Sequence, residues 1–113
     1  MTAGSALLVD FYQQLQRSWS TETGSWQPDN PASGQCGVTA LVVQDKFGGE
    51  ILKTDVNGAW HFYNRLDGRR VDFTMSQFDS PIGYDDVPSS RDEALGDCSP
   101  QQYDLLKGRV GTG

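Results

Sequence analysis

Residues 50–74 read EILKTDVNGAWHFYNRLDGRRVDFT, and this stretch decides the fold. Apolar and polar residues alternate along it, the period of two that a strand with one buried face imposes. Two dipeptides, Asn57-Gly58 and Asp67-Gly68, interrupt the alternation. Both suit two-residue hairpin turns, whose central positions take positive φ. The stretch predicts three antiparallel strands: Glu50 to Val56, Ala59 to Leu66 and Arg69 to Thr74.

The second turn also sets a register. With Leu66 opposite Arg69, Tyr63 faces Asp72 and His61 faces Thr74, so these four side chains share one face of the sheet. Asp72 becomes a diagonal neighbour of His61, roughly 7–8 Å away between backbones, a span that a carboxylate and an imidazole bridge. Asn64 falls on the opposite face. That face also holds Ile51, Trp60, Phe62, Leu66, Val71 and Phe73. It is more apolar than the His61 face, with Leu52, Thr54, Val56 and Tyr63. Such a sheet calls for cover on both faces, or for a homodimer contact over the apolar one.

Helices flank the meander. Leu8, Phe11, Tyr12, Leu15 and Trp19 follow the three- and four-residue steps of an amphipathic helix over Ser5 to Ser18. Residues 18–34 read as a long loop, with Trp19 and Trp26 as anchors. A second helix is expected from about Cys36 to Phe47. It is apolar nearly all round, the mark of a central, buried helix, and Gly48-Gly49 stops it. From Asp79 to Asp97 six acids stand against Arg91 alone, a local charge of -5, read as a solvated loop with a short helical turn at Arg91 to Leu95. Ser99-Pro100-Gln101-Gln102 then opens a final helix, with Ser99 as cap and Gln102 completing a capping box.

The 113 residues fit a single domain, 1–113, with 1–4 and 111–113 frayed. A net charge of -6 opposes the basic footprint of a nucleic-acid binder. The longest apolar run, Ala40 to Val43, is too short to span a membrane. Two cysteines and no recognisable export signal point to a reducing, cytoplasmic setting. The single histidine limits any metal site to one imidazole. Cys36, Cys98, His61 and Asp72 contain no close-spaced ligand pair of the kind zinc sites use, so neither metal nor cofactor is expected.

Cys36 stands at the expected N-terminus of the buried helix, where unpaired N–H groups and the helix dipole favour thiolate and a tetrahedral oxyanion. A cysteine there, a histidine on a following strand and an acid on the next form a machine for acyl transfer through a thioester. Cys36 is the nucleophile, His61 the base and Asp72 the residue that fixes the ring's tautomer and stabilises imidazolium. The side-chain amides of Gln35 and Asn30 are the candidate oxyanion donors. The competing reading is a non-catalytic binding module in which Cys36 merely packs as a small hydrophobe.

The string Asn30-Pro31-Ala32-Ser33-Gly34-Gln35-Cys36, followed by Thr39-Ala40-Leu41, Gly48-Gly49-Glu50-Ile51-Leu52, His61-Phe62-Tyr63-Asn64-Arg65-Leu66, Asp67-Gly68, Val71-Asp72-Phe73-Thr74 and Gln77-Phe78, resembles the YunG-like family of small bacterial proteins. The resemblance runs from Trp19 to about Val110. The layout of Cys36, His61 and Asp72 is also similar to the papain-like and transglutaminase-like superfamily. That similarity implies an α+β fold with a nucleophilic Cys36 on a central helix packed on an antiparallel meander. It implies peptidase, amidase, deamidase or transglutaminase chemistry on a protein, peptide or small amide.

Overall fold

A computed structural model describes residues 5–110, so the expectation of frayed ends lies outside the described residues. Helix α1 (Ser5–Ser18) is followed by the long loop and helix α2 (Cys36–Phe47). Strands β1 (Glu50–Val56), β2 (Ala59–Leu66) and β3 (Arg69–Val71) come next, then a 3₁₀ turn at Met75–Gln77. Strand β4 (Val87–Pro88), helix α3 (Arg91–Gly96) and helix α4 (Pro100–Val110) complete the chain. The sheet is antiparallel, in the order β3-β2-β1-β4.

Both hairpins turn where the dipeptides stand. Asn57 and Gly58 have φ of 53° and 88°, Asp67 and Gly68 of 52° and 78°, so all four occupy the left-handed region that such turns require. Leu66 pairs with Arg69 as expected. The ladder then stops at Asn64↔Val71, three residues short of the expected end at Thr74. Tyr63 and His61 therefore do not pair with Asp72 and Thr74. The cause is local. Asp72 Oδ1 accepts hydrogen bonds from the backbone N–H and the hydroxyl of Thr74, both at 3.1 Å. This side-chain turn gives the backbone an alternative to the ladder.

Helix α2 packs on the apolar face of the sheet. Its Ala40 and Leu41 meet Ile51, Phe62 and Ala94, while Val38, Val42 and Val43 join Phe11, Leu15 and Trp19, Leu66, and Leu106 and Val110 in the larger core cluster. Asn64, on this same face, donates to the Ala40 carbonyl at 3.0 Å, which satisfies a polar group that is costly to bury unpaired.

The other face is covered by chain that has almost no regular structure. Thr54 donates to the Gly83 carbonyl at 3.0 Å and accepts the N–H of Asp85, also at 3.0 Å. Tyr63 donates to Asp86 at 2.8 Å, and Tyr84 and Phe78 lay their rings edge-on against Tyr63 and His61. A three-layer arrangement thus needs only one layer of helices, because residues 72–86 form the third layer as a pinned loop.

The acidic stretch is correspondingly less solvated than its charge suggests. β4 lies within it, pairing Val87 with Lys53 and Pro88 with Leu52 on the outer edge of β1, a position that tolerates proline. The expected capping box holds: Ser99 N–H donates to Gln102 Oε1 at 2.9 Å, and Gln102 N–H to Ser99 Oγ at 3.1 Å.

Candidate functional site

Cys36 is the first residue of α2 and is 8% exposed. The helix is entered through Gln35, whose side chain makes no capping hydrogen bond. Asp97 supplies the cap from the turn between α3 and α4. Its Oδ2 accepts the Gly37 N–H at 3.1 Å and the Cys36 thiol at 3.3 Å. A side chain on Gly37 would collide with the Asp97 carboxylate, so glycine is what allows this approach. Cys36 packs with Phe62 in one core cluster, and the Phe62 backbone N–H favours its thiolate. Phe62 directly follows His61, so the thiol rests against the strand that carries the candidate base.

These contacts reverse the expected ionisation. Burial, first, and the Asp97 charge, second, push the Cys36 thiol up to about 12, against the opposing N–H groups of Phe62 and Gly37. Helix-terminal amides do lower a thiol's pKa, but here a carboxylate has occupied the end of the helix. The resting group is a thiol. Burial likewise raises the Asp97 carboxyl, while the hydrogen bonds from Cys36 and Gly37 and the nearby His61 work the other way.

On the opposite side of β2, His61 Nε2 and Asp72 Oδ2 lie 2.7 Å apart, with both side chains almost fully buried. Asp72 also accepts from Tyr84 Oη at 2.8 Å. With the two bonds from Thr74, the carboxylate is held by four donors and cannot swing. The His61 ring stacks on Tyr63 at 5.9 Å and meets Phe78 edge-on at 4.9 Å. Its Nδ1 is buried and has no hydrogen-bond partner. A buried, unpaired ring nitrogen is uncommon enough to require a reason.

The loop that delivers Tyr84 is itself fixed. Arg70 forms two bonds to Asp86 at 2.8 and 2.6 Å, and Tyr63 Oη accepts the Asp86 N–H at 2.8 Å. The Arg70 guanidinium, foremost, holds the Asp86 carboxyl down at about 2. Burial, foremost, pushes the Tyr63 phenol up to about 12 and raises that of Tyr84, so both remain donors.

The two amides expected near the oxyanion are engaged elsewhere. Gln35 is fully buried; its Nε2 donates to the Ser20 carbonyl at 3.3 Å and its Oε1 accepts from Thr23 at 2.7 Å. Asn30 Nδ2 donates to the Gln77 carbonyl at 3.1 Å. In this structure both anchor loops. Cys98 donates weakly to the Ala94 carbonyl, and both cysteines are free. Among the described residues, no group of three or more histidine, cysteine or acidic side chains is arranged to hold a metal ion.

The model of the YunG protein family matches residues 7–112. The chain belongs to that family. A relative named "Uncharacterized protein YunG", from Bacillus subtilis (strain 168), is 52% identical over 94 residues, covering 82% of this chain and 82% of that protein. No solved structure matches. In this YunG family member the structure joins His61 to Asp72 and packs Cys36 with Phe62, the residue next to His61. No hydrogen bond links Cys36 to His61 among the described residues.

Two members of the constellation escaped the sequence reading. Asp97 and Tyr84 sit in a stretch with no periodicity, among acids that the charge count treats as interchangeable. Only the fold distinguishes Asp97, which caps a helix sixty residues away, from Asp92, which lies in the first turn of α3.

Proposed function

We propose that this protein is a cysteine-dependent amide hydrolase or acyltransferase of papain-like or transglutaminase-like layout. Cys36 is the nucleophile, His61 the base and Asp72 the residue that orients it. The observation that carries this reading is the state of His61. One ring nitrogen is locked to a four-donor carboxylate, while the other is buried beside no partner, on the residue next to Phe62, which packs with Cys36. A base fixed by one nitrogen with the other left available is what proton transfer from a nucleophile requires.

Catalysis on this reading begins when the Asp97 carboxylate releases the thiol. His61 then takes the thiol proton, and Asp72 stabilises the imidazolium. The thiolate attacks an amide or ester carbonyl, and the N–H groups at the start of α2 stabilise the oxyanion. The leaving group takes the proton from His61, and water or an amine resolves the thioester. Substrates are a protein, a peptide or a small amide. Two free cysteines fit a cytoplasmic setting, and the acidic surface disfavours nucleic acid. No described helix is long and apolar enough to cross a membrane.

The test is acylation by activated esters, read as an adduct by intact mass and mapped by peptide. The adduct should form on Cys36, persist in Cys98→Ser and fall at least tenfold in His61→Ala. Labelling that ignores His61→Ala would overturn the proposal. A second reading is favoured by one specific observation: the Cys36 thiol bonds Asp97 and not His61. It makes the protein a binding module in which Cys36 is structural, and predicts no adduct at Cys36.

A further inference from the structure

Beside Asp97 lies a groove lined by Ala59, Trp60, Phe62, Glu93, Gly96 and Asp97, with a volume of about 340 Å³. It runs between the start of β2 and α3. We propose that this groove binds a cationic, amine-bearing ligand, with its ammonium on Asp97 and its aliphatic stem along Trp60 and Phe62. The ligand class is a lysine-like side chain or an alkylamine.

Three observations carry the assignment. The first is the charge state of the groove. Glu93 is paired with Lys53 at its rim. Asp97 forms no ion pair among the described residues; its carboxylate meets only a thiol and a backbone amide. Asp97 is exposed to the groove, so a ligand cation reaches it without displacing a counter-ion. With Glu93 and Asp97 against Lys53, the groove carries one net negative charge and disfavours an anion.

The second is Trp60, which is 48% exposed while most large apolar side chains of β2 are buried. Lys53 Nζ lies 4.3 Å from the centre of its ring, so the indole already receives an ammonium from its own chain. The ring is therefore placed and oriented for cations. Its apolar body, with Phe62, suits the methylenes of an alkylamine.

The third is the contact at the inner end. The carboxylate oxygen that would take the ammonium is the one that holds the Cys36 thiol. An ammonium competes with the thiol for it, so filling the groove loosens the bond that keeps Cys36 protonated. This consequence rests on the proposed role of Cys36; the binding itself does not.

The experiment uses Nα-acetyl-lysine amide as probe and the Trp60 indole N–H as reporter in ¹H–¹⁵N spectra, assigned by its loss in Trp60→Phe. The neutral isostere Nα-acetyl-norleucine amide is the control. Saturable shifts are expected, with a Kd of about 1 mM or tighter. The norleucine compound should bind at least tenfold more weakly, and Asp97→Asn should weaken the lysine probe by a similar factor. Equal affinity for the two probes, unchanged affinity in Asp97→Asn, or no saturable shift would each overturn the proposal. His61→Ala should bind the probe as wild type does. Loss of acylation and loss of binding are thus read separately, and failure of one does not imitate failure of the other.

Discussion

Replacing Asp97 by asparagine removes a charge from the thiol while keeping an oxygen for the Gly37 N–H. With its thiol at about 12, Cys36 is ionised in only about one molecule in 10⁵ at pH 7. A full charge at the observed 3.3 Å corresponds to about 5 kcal/mol at an effective dielectric of 20. Asp97 lines an open groove, so solvent screening reduces that figure. A fall of about one to two pKa units is the expectation, or about 10- to 100-fold more thiolate at neutral pH. Because burial is the larger cause of the shift, the variant's thiol should still titrate above an ordinary cysteine. The assay is the rate of iodoacetamide alkylation against pH, read at Cys36 by peptide mass. Asp97→Asn should move the Cys36 profile to lower pH and raise the neutral rate. A profile that stays in place, or moves to higher pH, would refute the reasoning.

Other outcomes follow from the same contacts. Asp72→Asn should leave the fold intact and lower acylation at Cys36 by at least about tenfold, because the amide supports the wrong tautomer of His61; circular dichroism and intact mass check the two halves. Cys36 and Tyr63 are both raised in the folded state, so the protein binds more protons folded than unfolded above their ordinary values. The stability they contribute is complete below pH 9 and is lost as pH rises toward 12, which denaturant titrations across that range would show. Asp86 is lowered and acts in the opposite sense: its contribution is present above the ordinary aspartate pKa and disappears as pH falls toward 2. Arg70→Ala should reduce that acid sensitivity. Leu106→Ala, at a fully buried site, should cost about 2–5 kcal/mol in the same titrations.

The hairpins were legible because their signals are local. Asn-Gly and Asp-Gly determine their own backbone conformation, and the alternation between them fixes which side chains share a face. The span of α2 was legible from its apolar run, and α4 from a capping box written in four residues. The pairing of His61 with Asp72 also followed from register, although the ladder ends before reaching it. What could not be read depends on contacts between distant residues. The bond from Asp97 to Gly37 closes sixty residues of chain, and nothing near Asp97 distinguishes it from its acidic neighbours. The ionisation of Cys36 was misjudged first because its burial depends on distant packing, and second because the helix end was read as vacant where a carboxylate from another element fills it. Residues 72–74 read as the end of a strand and 79–86 as solvated, because loops that cover a sheet carry no period. They are held instead by pairs of hydrogen bonds at Thr54, Tyr63 and Arg70.

The central claim is that Cys36 and His61 work as one unit. Its most direct test is the pH–rate profile of Cys36 acylation by an activated ester, in wild type and in His61→Ala. The account predicts a wild-type rate well above that of His61→Ala at neutral pH, and a His61→Ala rate that follows the slow titration of an isolated buried thiol. Profiles that superimpose in the two proteins would contradict the claim.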